Sequence, residues 1–254
     1  MSDELLVEYR DGIQILTINR PQARNACTKA VAEAMVAALD ELERRDDLRL
    51  AILTGAGGTF CAGMDLKGFL KGERPSLPGR GFAGLTEAPP SKPLIAAVEG
   101  YALAGGFELV LASDLVVAAQ NAQFGLPEVK RGLVAAAGGL LRLPDQLPER
   151  IAMELVLTGD MCDAQRAHAY GLVNRLTPPG EALAGALELA QRIVANGPLA
   201  VAASKRVMKA SRDWAQADRF ARQREITEPV FASADAREGA AAFAEKRQAR
   251  WQGK

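Results

Sequence analysis

One histidine stands in 254 residues, so any nucleophile that depends on an imidazole base has a single candidate, His168. It sits in the alanine-rich stretch AQRAHAYG, where a packing role in a helix accounts for it, and a Ser-His-Asp or Cys-His centre is not expected. Cysteine is also sparse. Cys27, Cys61 and Cys162 are an odd number without metal-ligand spacing, which points to reduced packing thiols rather than a disulfide framework or a metal site. Charge of one sign is missing too. The 31 Lys plus Arg balance the 31 Asp plus Glu, so no overall field draws the chain to nucleic acid or to an anionic membrane, and local basic patches must do any anion binding. No apolar stretch reaches spanning length, and Asp3 and Glu4 ahead of the first apolar run are unlike a signal peptide. The expectation is a cytoplasmic protein without a membrane or nucleic-acid partner. Two glycine motifs lack their last element. Gly100 to Gly105 has phosphate-loop spacing but continues with Gly106 and Phe107 instead of Lys and Ser or Thr, and Phe60 stands where a dinucleotide fingerprint over Gly55, Gly57 and Gly58 needs its third glycine. No nicotinamide or flavin site is indicated.

What is present is a full complement of core residues. Hydrophobic residues make up 48% and charged residues 24%, which excludes disorder and supports one large α/β domain with a helical tail. Leu5–Tyr9 and Ile13–Ile18 flank Asp11-Gly12, the dipeptide preferred in a two-residue hairpin. Thr28 is placed to cap an alanine-rich helix running to Arg45, with Val31, Met35, Leu39 and Leu42 on one stripe. Leu50–Leu53, Leu94–Val98, Leu115–Ala119 and Leu172–Leu176 read as buried strands. Helices are expected over 138–147, 148–157, 182–195, 199–210, 214–231 and 237–246, the last four with apolar stripes and charged backs. Gly68–Lys92, rich in Gly and Pro, reads either as a mobile flap or as an ordinary surface loop.

The rest is organised around Leu94–Glu128. After the strand at Leu94–Val98, Gly105 and Gly106 open a helix whose apolar face carries Phe107, Val110 and Leu111. The first amides of a helix have no internal partner and sit at the positive end of its dipole, so they suit an oxygen that gains negative charge. Glu108 lies one turn on and shares a face with Gly105, so its carboxylate and the Gly105 amide can border one space. Pro127 keeps Leu126 extended, which places Glu128 at a strand exit, where sites collect in parallel sheets. Glu108 alone could be an ordinary first-turn acid, and Glu128 alone a loop-end charge.

The string GYALAGGFEL followed by FGLPE, with its two glutamates twenty residues apart, resembles the crotonase superfamily and within it the enoyl-CoA hydratases. NRPQARNA at Asn19–Ala26, FCAGMDL at Phe60–Leu66, LTG at Leu157–Gly159, GLVN at Gly171–Asn174 and AFAEKR at Ala242–Arg247 extend the likeness over nearly the whole chain. The RGLVAAAGG turn after Glu128 departs from the proline-containing turn usual in the family, which bears on the acyl pocket. The resemblance implies an α/β crotonase (ClpP-like) spiral of ββα turns over residues 1–180, and a C-terminal helical trimerisation region over 181–254. It implies reversible addition of water across the α,β double bond of a 2-enoyl-CoA, in fatty acid or related acyl-CoA degradation. Glu108 is then the base for water, Glu128 the proton donor to the α carbon, and the Met64 and Gly105 amides the oxyanion hole. Coenzyme A contacts are implied for Arg24, Ala62, Met64, Asp65, Leu66, Lys67 and Gly105. Phe243 and Lys246 are implied to reach the neighbouring subunit's coenzyme A site in a homotrimer or a dimer of trimers. No metal and no cofactor beyond the coenzyme A of the substrate is implied. Alternatives are a carnitinyl-CoA dehydratase, suggested by GFAGLTE, GGFEL and LLRLP, a double-bond isomerase, and a catalytically silent acyl-CoA- or RNA-binding relative.

Overall fold

The computed structural model describes residues 3–254. Strands β1 (Leu5–Arg10) and β2 (Ile13–Ile18) form the expected hairpin, with Asp11 and Gly12 both at positive φ as a tight two-residue turn requires. Helix α1 (Lys29–Arg44) is capped by the Thr28 hydroxyl, which accepts from the Val31 amide at 3.2 Å. Its Val31, Met35, Leu39 and Leu42 are buried, at about 1.5 to 3 kcal/mol each as an upper bound. The chain then climbs through β3 (Leu50–Gly55), the short helix α2 (Leu66–Phe69), and a small hairpin of β4 (Ser76–Leu77) and β5 (Gly81–Phe82). It continues through β6 (Leu94–Val98), β7 (Tyr101–Leu103), α3 (Gly105–Ala112), β8 (Leu115–Ala119) and β9 (Gln123–Gly125). A 3-10 helix at Pro127–Arg131 follows, then α4 (Gly139–Gln146), α5 (Glu149–Thr158), β10 (Cys162–Asp163), α6 (Ala164–Ala169) and β11 (Arg175–Thr177).

These elements make a spiral. Each turn adds one strand to a six-stranded sheet ordered β1-β2-β3-β6-β8-β11, parallel from β2 onward, and one short segment to a second sheet. In the second sheet Cys61 bridges Ala102, Ala102 pairs with Phe124, and Phe124 pairs with Cys162, so consecutive turns stack in register. The crotonase spiral of ββα turns is thus the observed fold. The large sheet is buried on both faces, which is why its strands read as continuous apolar runs. Alternate residues divide between two cores: Leu16, Ala51, Leu53, Ala96 and Val116 face the spiral interior, and Ile13, Ile15, Leu50, Ile52, Ile95, Ala97 and Val117 face outward. Helix α7 (Ala182–Val194) covers the outer face with Ala182, Ala186 and Ala190, spaced four apart.

Three local expectations are corrected. The helix expected from Trp214 begins only at Arg219: α8 (Pro198–Ala210) runs into a 3-10 turn over Ser211–Asp213, and α9 spans Arg219–Phe231. Helix α10 (Ala234–Ala244) starts earlier than expected, because the Ser233 hydroxyl caps it, and ends before Lys246, which has a positive φ. The segment 68–92 is not a free flap throughout. Residues 81–86 are buried, and Phe82, Ala83 and Leu85 belong to the core. The phenylalanine and leucine there outweigh the turn-forming residues around them.

Beyond α7 the tail leaves apolar surface uncovered. Helices α8 and α9 contain no buried residue, and Phe220, Phe231 and Phe243 are 74%, 80% and 88% exposed.

Candidate active site

The site begins with a strained residue. Ala104, between β7 and α3, has φ 53° and ψ −128°, a conformation that costs an alanine of order 1 to 3 kcal/mol. Its amide donates to the Gly125 carbonyl, and its carbonyl accepts from Phe107 and Glu108. Among the described residues the next amide, Gly105, donates to nothing. The loop bearing Met64 is pressed against it: a methyl group on Gly63, which has φ 99°, would lie 3.3 Å from the Gly105 nitrogen, and one on Gly106 would lie 2.1 Å from the Cys61 carbonyl oxygen. The bridge that ties this loop to Cys27 uses the Gly63 carbonyl and the Asp65 amide, and leaves the Met64 amide without an acceptor among the described residues. The loop that carries the unused Met64 amide is therefore packed against the unused Gly105 amide, and an oxyanion site needs two such donors.

The NRPQARNA string explains how the Met64 loop is held. Asn25 is fully buried at positive φ; its side-chain amide donates to the Ala56 and Thr59 carbonyls, and its oxygen accepts from Arg20. The Ala62 amide donates to the Arg24 carbonyl at 3.0 Å. Asp65 caps α2 and pairs with Arg20 at 2.9 Å. Burial acts to raise the Asp65 pKa, but Arg20 and the capping amides outweigh it and hold the carboxyl below its usual range. Its side chain is thereby committed to the fold. Arg24, Leu66 and Lys67 are exposed along the same loop pair. Phe243 and Lys246 stand apart, on or just past α10, which packs against α9.

Glu108 is 3% exposed, yet its carboxylate is well served: Oε1 accepts from the Ala137 amide at 2.7 Å and the Gly139 amide at 2.9 Å. Both donors come from the RGLVAAAGG turn, at the start of α4. A methyl on Gly139 would sit 3.0 Å from Oε1, so a larger residue there would press on the carboxylate. Burial raises the Glu108 pKa, while the two amides and the positive charge of Arg142 pull it back. Glu128 has the opposite surroundings. It lies in the first turn of the 3-10 helix rather than at an extended strand exit, because Pro127 suits the first helical position and Leu126 adopts φ −116°, ψ 74°. Its Oε2 is buried without a hydrogen-bond partner. Burial, then the nearby Glu108 charge, push its pKa up to about 7, against the opposing pull of its own backbone amide and Arg131. The two amides on Glu108 favour its anion, while burial of Glu128 without a partner for Oε2 favours its neutral form, the kind of separation that lets a pair act as base and acid.

His168 is exposed on α6 rather than packed, with Nδ1 2.7 Å from the Val173 carbonyl oxygen. Sequence reasoning gave no role to Ala137, Gly139, Arg142 or Phe82, although the strings RGLVAAAGG, LLRLP and GFAGLTE contain them. Two clefts of about 630 and 840 Å³ run along α8, lined in part by the Asp114–Lys205 ion pair, and neither includes Glu108 or Glu128.

Known proteins resemble the chain over its whole length. The chain is 60% identical to an enoyl-CoA hydratase, EchA1, from Mycobacterium marinum, with a TM-score of 0.98 and 100% of both chains covered. It is 47% identical to a carnitinyl-CoA hydratase from Mycobacterium avium, also over 100% of both chains, with a TM-score of 0.80. It is 46% identical to a carnitinyl-CoA dehydratase from Salmonella arizonae across 100% of both sequences. The enoyl-CoA hydratase/isomerase family profile matches residues 8–254. With its spiral fold, the profile match over residues 8–254 and these identities over the whole chain, the chain belongs to the enoyl-CoA hydratase/isomerase family.

Proposed function

We propose that the protein is a hydro-lyase that adds water reversibly across the double bond of a 2-enoyl-CoA. The observation that carries this reading is the pair of glutamates in unlike surroundings, Glu108 accepting from two backbone amides and Glu128 with a buried Oε2 that has no hydrogen-bond partner. Glu108, ionised, takes a proton from water as the water oxygen bonds to the β carbon. The electron pair of the double bond moves into the thioester, whose oxygen is held by the Met64 and Gly105 amides. Glu128, neutral, gives its proton to the α carbon, and the product is the 3-hydroxyacyl-CoA. The one proton left on Glu108 must then return to Glu128 before the next turnover, so the two carboxyls titrate as a pair. Coenzyme A enters as part of the substrate, with Arg24, Ala62, Leu66 and Lys67 along its path and no further cofactor. A cytoplasmic setting and a role in acyl-CoA degradation fit this chemistry.

This assignment fixes a pH dependence. A general acid must be protonated and a general base ionised, so kcat/KM should fall as pH rises through about 7 and Glu128 loses its proton. It should also fall on the acid side, at a pH above the ordinary glutamate range, as Glu108 gains one. Measured from about pH 5 to about pH 9, the profile should be a narrow bell. A flat profile contradicts the assignment.

The second reading, a carnitinyl-CoA dehydratase, draws on the 46% identical relative. The higher identity and TM-score with the hydratase favour the general reaction. A panel of straight and branched 2-enoyl-CoAs against crotonobetainyl-CoA separates the two: preference for the quaternary-ammonium substrate would overturn the first reading.

The uncovered aromatics of α9 and α10 support assembly as a homotrimer or a dimer of trimers, with Phe243 and Lys246 reaching a neighbour's coenzyme A site. Light scattering at micromolar concentration should give three or six times the chain mass, and a persistent monomer would contradict this.

A further inference from the structure

Arg142 lies outside the pair of glutamates and has no part in the chemistry above, yet its surroundings are unusual for an arginine. It is half-buried and, among the described residues, makes no direct ion pair; its Nη2 donates to the Thr86 carbonyl at 2.6 Å. Its Nη1 rests on the Gly138 turn so closely that a methyl group on Gly138 would sit 2.1 Å from it. That turn delivers the Gly139 amide to Glu108. Burial acts to lower the Arg142 pKa and the charge of Glu108 acts to raise it, so the two groups lie in each other's field. The other end of the contact leads to the oxyanion side. The Thr86 hydroxyl accepts from the Phe82 amide at 2.9 Å, and the Phe82 ring lies against Gly105, where a methyl group would come within 2.5 Å of it.

We infer that Arg142 is a positioning residue: its guanidinium clamps the Gly138–Gly139 turn to the Thr86 carbonyl, and so keeps Glu108 cradled as the proton acceptor and the 82–86 segment seated against Gly105. A half-buried guanidinium with only one carbonyl partner is poorly compensated by hydrogen bonds alone, and the anionic Glu108 supplies the remaining compensation. The charged and titratable groups bearing on Glu108 are Arg142 from α4 and Glu128 from the 3-10 helix, with Arg131 acting on Glu128. Arg142 is the cation of this set that acts on Glu108 itself.

This inference rests on the proposed hydration reaction, and the test separates the two. Wild-type enzyme, Arg142→Gln and Arg142→Lys are compared by kcat/KM against pH, with thermal melts run in parallel. If wild-type enzyme hydrates no 2-enoyl-CoA, the reaction reading fails. If it does, Arg142→Gln should move the acid limb up by about half to one pH unit, because an opposite charge near Glu108 has gone, while Arg142→Lys keeps the limb near its wild-type position. At a pH below the limb a one-unit shift reads as about a ten-fold loss in kcat/KM, in part recovered on raising the pH. Should the glutamine variant not fold, replacement of Arg142 by citrulline keeps the shape and the bond to Thr86 and removes only the charge, and the same shift is expected. An acid limb unmoved in the neutral variant, with kcat lowered equally at every pH, would make Arg142 a purely structural residue and overturn the inference.

Discussion

Glu128→Gln should lower the rate of hydration by about 10² to 10⁴, the usual contribution of one acid-base group, while the protein still folds and still binds an acyl-CoA. The amide has nearly the shape of the acid and cannot give a proton to the α carbon. Stability should move the other way. The folded-state pKa of Glu128, about 7, lies above its unfolded value, so the stability the group contributes is whole below the ordinary glutamate range and is lost as pH rises through about 7. Glutamine escapes that loss. The variant should therefore melt at a higher temperature than wild type near pH 8 and at a similar temperature near pH 5, with ~10²-fold or greater loss of turnover at both. Near-normal hydration, or a variant less stable than wild type at the alkaline end, contradicts the role given to this carboxyl.

Met64→Pro should cost a comparable factor, roughly 10² to 10³ in rate or about 2.7 to 4 kcal/mol, by removing one amide donor from the oxyanion site. The position suits the test. The Met64 amide makes no hydrogen bond among the described residues, so proline removes no bond from the fold, and the preceding residue is Gly63, the residue type least restricted before proline. Met64→Ala keeps the amide and should stay near wild type. Gly105 offers no such control, because a methyl group there would lie 2.5 to 2.6 Å from the Phe82 ring, and because Ala104, at φ 53° and ψ −128°, is not in the extended region a following proline prefers. Equal rates for a folded Met64→Pro enzyme and its alanine counterpart would remove the Met64 amide from the transition state.

The parts of this site that could be read from the sequence are those that leave a mark in side chains. Buried parallel strands announce themselves as apolar runs, as at Leu50–Leu53 and Leu94–Val98, and Thr28 marks the start of α1. The two glutamates stand in motif strings, and the Gly105 helix start follows from its glycines. The cradle around Glu108 left almost no mark, because its donors are backbone amides of Ala137 and Gly139, about thirty residues further along, and any residue but proline has an amide. Arg142 was silent for a related reason: its partner is the Thr86 carbonyl. The segment 81–86 was misleading since glycines and prolines around it read as loop, while Phe82 and Leu85 anchor it in the core. The 3-10 turn at Glu128 was hidden because a proline that ends one extended segment also fits the first residue of a helix.

Exchange of the substrate's oxygen with water tests the central claim most directly. Purified 3-hydroxyacyl-CoA incubated with the enzyme in heavy-oxygen water should gain the heavy isotope at the β carbon, because reversible dehydration and rehydration pass that oxygen through bulk water, and Glu108→Gln and Glu128→Gln should each slow the gain by about 10² or more. Absence of label under the wild-type enzyme, or equal labelling by wild type and both glutamine variants, would contradict hydration by a pair of glutamates.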